Sequence, residues 1–326
     1  MNSRNSISQY DVIRQLRFPM IVLVTFAHSY SNVVDDFSLL SSDWNTYEFL
    51  KLLISQTLVK VAVPVFFVMS GYLFFANVGN WNMRVYMSKM KRRVKTLMVP
   101  YLIWNLLMAV KLKTLSWSDF LEPANMPLWF MRDLMLVSLL TPIIYIGVRR
   151  LGLWLLVLLM PVYLTGIWLI QPAPNPYGIC FFTIGAFLSI RKMDLVESAL
   201  CLEKPSYVLA LMFGIAMLCT CHTQFFPPMM LCFRVIGAIT VFCLAYRILS
   251  NTGHRLPEVI VNSSFFIYLA HYVLFFSFID KAFFSFCGMS TTALSIHYLF
   301  SPLIKDTILI GLYSVYNLIH YNLMKS

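Results

Sequence analysis

Long apolar runs, separated by short polar joints, follow one another along nearly the whole chain, near residues 18–34, 51–76, 97–112, 127–147, 151–170, 177–190, 206–221, 229–248, 263–283 and 298–320. A helix needs about 20 residues to cross the hydrocarbon of a bilayer, and most of these runs are close to that; the sixth is short and the second long. Pro and Gly mark the joints, as in QPAPNPYG at 171–178, FFPP at 225–228 and TGHRLP at 252–257. The pattern predicts an all-α polytopic membrane protein of about ten transmembrane helices. No long linker between separate domains and no internal repeat interrupts it, so the expected organisation is a single transmembrane domain over residues 1–326.

Composition narrows the class further. Of 326 residues 59% are hydrophobic and 12% charged, against roughly 45–50% and about 25% in soluble domains. A soluble chain of this kind would expose large apolar patches to water, so soluble enzymes, disulfide scaffolds and disordered chains are excluded. The net charge of +11 would suggest nucleic acid in a soluble protein. Here the positions of the charges give another reason. With the N-terminus inside, 17 of the 25 Lys and Arg fall in inner segments and four (Lys51, Lys111, Lys113, Lys281) in outer ones, the rest lying within spans. That bias predicts both ends in the cytoplasm of a multi-pass protein and no nucleic-acid partner. The seven cysteines are scattered without CxxC, which supports neither a metal site nor a disulfide framework. The first run lacks a small-residue cleavage site and is expected to be retained as the first span, with Pro19 in its first turn.

Within that span stand Arg17 and His28, eleven residues apart. Eleven residues rotate a helix by about 1100°, three turns plus roughly 20°, so both lie on one face with a rise of about 16 Å between them. Arg17 is placed at the cytoplasmic rim and His28 about halfway across. An ionisable residue at that depth is costly and marks either function or one interhelical hydrogen bond from a neutral imidazole. Asn32, one turn further on, either orients the imidazole or joins helices.

The stretch LRFPMIVLVTFAHS at 16–29 resembles the opening of acyltransferase family 3, whose first helix carries a basic residue, ten intervening residues and a histidine. AVPVFFVMSGYLFF at 62–75 is similar to the family's AVPxFFxxSGxL signature, with Ser70, Gly71 and Leu73 in register. KRRVKTLMVPYLIW at 91–104 looks like the family's basic cytoplasmic loop and third helix, and the likeness continues through MPLWF at 126–130, FFTIGAFL at 181–188 and FFIYLAHYVL at 265–274. One feature departs from the family: a second loop arginine is expected three residues after Arg93, where this chain has Thr96, leaving Lys95 or Arg92 to replace it.

The resemblance implies transfer of an acyl group, commonly acetyl from acetyl-CoA, to a hydroxyl of a cell-surface or lipid-linked saccharide. Arg92, Arg93 and Lys95, with Lys91 and Arg17, would hold the polyphosphate of acyl-CoA, although the same cluster also serves as a positive-inside signal. No cofactor is expected to be permanently bound; acyl-CoA is the donor substrate. His28 and Arg17 are the catalytic residues that the resemblance implies, and His28 would take a proton from the acceptor or carry the acyl group itself. Ser70 lacks an elbow motif or a partner acid, so Ser70 and Gly71 are read as a close-packing and hydrogen-bonding position beside the donor, with plain helix packing as the other reading. Tyr72 and Trp129 with Phe130 would stack on a sugar or line the channel, Trp129 equally serving as an interfacial anchor, and Arg132 would contact acceptor or donor. Lys305 and Asp306 are expected in structural pairs with neighbours such as Asp280, His271 as a satisfied polar group, and His222, His254, His297 and His320 as loop or rim residues with no partner evident in sequence. A carrier or flippase is the rival reading, disfavoured by the lack of inverted repeats, and a noncatalytic subunit the third.

Overall fold

The computed structural model describes residues 7–29, 45–113, 122–165, 175–274 and 277–325. Helices account for nearly all of them, and no strand occurs among the described residues. Four helices are long and apolar enough to cross a membrane: Thr46–Phe75, Met83–Leu112, Phe226–Thr252 and Thr291–Ile319. A fifth crossing results if Met126–Leu139 and Thr141–Leu151, bent by 60°, count as one span. Apolar side chains such as Leu153, Trp154, Leu211 and Met212 stand exposed on these helices and their neighbours. In water they would form sticky patches; in a membrane they meet lipid.

Contacts divide the chain into two compact units. The first comprises Met1–Ala62, Pro205–Gly237 and Leu244–Ser326. Its first helix, α1 (Gln9–Ser29), begins earlier than the apolar run. Ser8 explains the start: its Oγ accepts from the Asp11 N–H at 3.2 Å and the Asp11 carboxylate accepts from the Ser8 N–H at 3.2 Å, a capping box with Asp in place of Glu. Pro19 therefore lies inside the helix rather than in its first turn, which corrects the expectation from sequence. His28 correspondingly sits in the last turn of α1, and Asn32 lies outside the described residues. Ile13, Leu16, Met20, Val24 and Ala27, spaced by three or four, form the buried stripe of α1. That stripe packs against α13 (Glu258–Ala270) and α15 (Thr291–Lys325).

Between α2 (Thr46–Lys51) and α3 (Ala62–Phe75) the helix passes through a π turn, Leu52–Thr57, and a 3-10 turn, Leu58–Val61. Such irregular turns gather at functional sites more often than chance provides. Here Ser55 on the π turn donates to the Phe26 carbonyl at 3.0 Å and bonds the Tyr298 hydroxyl, so α1 and α15 are joined through it. The apolar run at 263–283 does not form one helix: α13 ends at Ala270 and α14 (Ser277–Cys287) follows separately.

The second unit comprises Val63–Lys204 and Ala238–Cys243. In it α3 lies directly on α9 (Pro176–Ile190). A Cβ on Gly71 would fall on the Phe182 carbonyl, and one on Gly185 would fall on the Val68 carbonyl. Two glycines thus let the backbones touch, the small-residue packing expected between membrane helices. The basic segment expected as a loop is helical instead. α4 (Met83–Arg93) is capped by Asn82, whose side chain accepts from the Val85 N–H, and it runs through a π turn, Val94–Met98, into α5 (Val99–Leu112). The run at 127–147 is broken where Pro142 stands at the start of α7 (Thr141–Leu151), following α6 (Trp129–Leu139), because proline cannot donate back into the preceding turn.

Candidate functional site

In the first unit the side chains near His28 come from α13 and the residues that follow it. α1 and α13 are tied at their polar ends: Arg14 Nη2 meets Glu258 at 2.9 Å, Arg255 meets Asp11 at 3.3 Å, and the Leu256 N–H donates to Gln15 at 2.8 Å. Further along α1, the His28 ring lies 5.5 Å from the ring of His271, centroid to centroid, and 5.8 Å from that of Tyr272, which meets it edge-on at 72°. His271 caps the end of α13. Its Nδ1 lies 3.1 Å from the Ile267 carbonyl oxygen and 2.9 Å from that of Tyr268, so it serves carbonyls at a helix terminus. The spacing in sequence pointed to His28; it did not reveal that a second imidazole from a distant helix stands next to it. Lys60, on the 3-10 turn, and Arg234, on α12 (Phe226–Thr252), belong to the same unit as His28. Arg17 is exposed on α1, with Arg14 as its charge neighbour.

A buried ionic cluster lies elsewhere in this unit. The Asp280 carboxylate on α14 accepts from Lys305 Nζ at 2.7–2.8 Å, from Ser301 Oγ at 3.0 Å, and meets His297 Nε2 at 2.8 Å. The expected pairing of Lys305 with Asp280 is present. Asp306 is engaged elsewhere, accepting from Thr25 of α1 at 2.9 Å. His297 is buried against Asp280, which corrects its reading as a loop or rim residue. The sequence did hold a sign of this, since 297, 301 and 305 recur every four residues and so share a helix face.

In the second unit Arg93 reaches the signature serine. Its Nη2 donates to Ser70 Oγ at 2.8 Å and to the Ser70 carbonyl at 3.3 Å, and its guanidinium lies over the rings of Phe74 at 4.8 Å and Phe182 at 5.8 Å. A planar cation on two aromatic faces is held in one orientation. Nη1 is buried and has no hydrogen-bond partner among the described residues. Arg92 and Lys95 are exposed on the same continuous helix. Gly71 is the close-packing point already described, and the buried Tyr72 donates its hydroxyl to the Met193 carbonyl at 3.3 Å. Trp129 is half-buried at the start of α6, its ring edge-on to Phe130 at 6.4 Å. Arg132 forms an ion pair with Asp133, with Nε and Nη2 each 2.9 Å from the same carboxylate oxygen. Asp133, which sequence reasoning passed over, is fully buried and also accepts from the Asn175 N–H at 2.9 Å. Ser70, Gly71, Tyr72, Arg93, Trp129 and Arg132 therefore belong to one unit, and Arg17 and His28 to the other.

The succinoglycan biosynthesis protein ExoH of Rhizobium meliloti (strain 1021) is 26% identical over 163 residues. The match covers 42% of this chain and 43% of that protein, so the chain spans less than half the length of this relative. No solved structure matches the chain. A family model described as an acyltransferase domain matches residues 11–304, a stretch that takes in both the His28 contacts and the Arg93–Ser70 contact. With so much of its length matched, the chain belongs to acyltransferase family 3.

Proposed function

We propose that this protein moves an acyl group, acetyl in the first instance, from acyl-CoA to a hydroxyl of a cell-surface or lipid-linked saccharide. It does so as one transmembrane domain in the inner membrane, with about ten spans and both ends in the cytoplasm. The observation that carries the reading is the family match over residues 11–304, which includes the Arg17 and His28 spacing of the family's first helix. The similarity to a succinoglycan biosynthesis protein supports a saccharide as the acceptor.

Arg93, held against Ser70 over two aromatic rings, and the exposed Arg92 and Lys95 supply the positive charge that a CoA polyphosphate needs, while Arg17 is proposed, with His28, among the catalytic residues of α1. Tyr72, Trp129 and Arg132 are proposed to shape the path of donor or acceptor. An imidazole at His28 can take the acceptor proton near neutral pH and return it to the leaving thiolate, or carry the acyl group between the two substrates.

The test is direct. Mass spectrometry of surface glycans from cells with and without the gene should show acyl esters that depend on the protein. His28→Gln keeps an amide for hydrogen bonding but can neither act as a base nor carry an acyl group at neutral pH, so it should be as inactive as His28→Ala at equal membrane abundance. A glutamine variant with near-parental acylation would overturn the role of His28, and glycans that do not change with the gene would overturn the function.

A further inference from the structure

Two imidazoles, not one, occupy the contact between α1 and the end of α13. The ring of His271 is fixed by its Nδ1, which faces the carbonyl oxygens of Ile267 at 3.1 Å and Tyr268 at 2.9 Å. A carbonyl only accepts, so Nδ1 carries the hydrogen and, in the neutral ring, Nε2 carries the lone pair. Nε2 is buried and meets no hydrogen-bond partner among the described residues. Anchoring the end of α13 requires only the Nδ1–H, which an asparagine could also supply. The unmet lone pair has no use in that anchoring, yet it belongs to a ring whose centroid is 5.5 Å from that of His28. At this separation an edge-on turn of the His28 ring brings a nitrogen of each imidazole to hydrogen-bond distance.

We propose that His271 is a positioning residue of the transfer reaction, whose Nε2 accepts an N–H of His28 and so holds that ring as the base. The inference rests on the acyl-transfer reading above and assigns His28 the proton-transfer role within it. In the step, the acceptor oxygen forms the C–O bond with its own electron pair, and its proton passes to the lone-pair nitrogen of His28. The C–S bond then breaks with its electron pair going to sulfur, and the proton leaves His28 for the thiolate, giving CoA as the thiol. While His28 holds the extra proton both its nitrogens carry hydrogen, and His271 Nε2 takes the N–H that faces away from the acceptor. A base oriented by a third group is a recurring solution in acyl transfer, with a carboxylate or amide in that place in other enzymes.

The variant that separates this from a structural role is His271→Asn, whose amide nitrogen can take the place of Nδ1 toward the carbonyls but leaves nothing at Nε2. Membrane vesicles carrying the full chain receive labelled acetyl-CoA, and label in the saccharide fraction is measured per chain recovered as a monodisperse detergent complex. The expected result is a fall of about 100-fold in kcat with KM for acetyl-CoA changed by less than about threefold. His271→Ser, whose hydroxyl can donate to the same carbonyls and reaches no further, decides in the same way if the Asn variant is not recovered. Turnover within about threefold of the parent in the recovered variant overturns the inference while the function stands. Parental vesicles that label no more saccharide than vesicles lacking the chain overturn the function, and this inference with it.

Discussion

Arg93 donates from one nitrogen to both the hydroxyl and the carbonyl of Ser70 while its plane rests over Phe74 and Phe182. That geometry distinguishes it from Arg92 and Lys95, whose side chains are exposed. Arg93→Ala should weaken acetyl-CoA binding in detergent by about 1.5–3 kcal/mol, the size of a lost charge-assisted bond, with the loss shrinking at high salt. Arg92→Ala and Lys95→Ala should each cost less than about 1 kcal/mol. Equal effects from all three would mean that the cluster acts only as a diffuse field. Asp280 has a different importance, as the carboxylate that meets buried Lys305, Ser301 and His297. Asp280→Asn leaves Lys305 without its counter-charge and should lower unfolding stability by about 3–5 kcal/mol, visible as a fall in thermal midpoint. Adding Lys305→Met to Asp280→Asn should recover some of the loss, since the double variant no longer buries an unpaired charge. No recovery would show that the cluster does not act through charge pairing.

Among the elements, the crossing of α3 and α9 depends on glycine in the plainest way, because carbonyl oxygens occupy the positions where side chains would begin. Gly71→Ala should separate the two helices at a cost of about 1–3 kcal/mol or more and reduce the chain recovered from membranes. Gly311→Ala on α15 is the matched control: a Cβ there meets nothing within 4 Å, and alanine gains about 1 kcal/mol in helix propensity. A parental melting curve for Gly71→Ala would contradict the observed contact. The SG pair was legible as a small-residue position, yet its partner was not, since nothing at 70–71 names Phe182. Likewise the basic run at 91–95 was legible as charge but not as helix. Asn82 caps it and the π turn at Val94–Met98 carries it onward, so that Arg93 lies a fixed number of turns from the apolar stretch of the same helix.

For the molecule as a whole, charge bias predicts which ends and joints face the cytoplasm. In a cysteine-free background, Ser88→Cys on the exposed face of α4 should be labelled only from the cytoplasmic side and Ser290→Cys, before α15, only from outside. Labelling of both from one side would overturn the two-sided arrangement, and with it the cytoplasmic location of the donor charges. The loop at 35–48, also expected outside, lies mostly beyond the described residues. Hydropathy by itself determined that the chain is helical and made for a membrane, because an apolar run in lipid has few other ways to satisfy its backbone. Residue spacing by itself determined that Arg17 and His28 share a face and that the first two signatures resemble one family, because both are local patterns. What tertiary structure alone decided is which groups meet: His271 with His28, His297 and Ser301 with Asp280, and Arg93 with Ser70. Each joins residues on separate helices, 23 positions apart for Arg93 and Ser70 and 17 to 25 for the Asp280 contacts. Helical periodicity fixes neighbours only within a few turns, whereas contacts between helices depend on where the chain bends, as at Pro142, and on how closely two backbones can approach, as at Gly71 and Gly185.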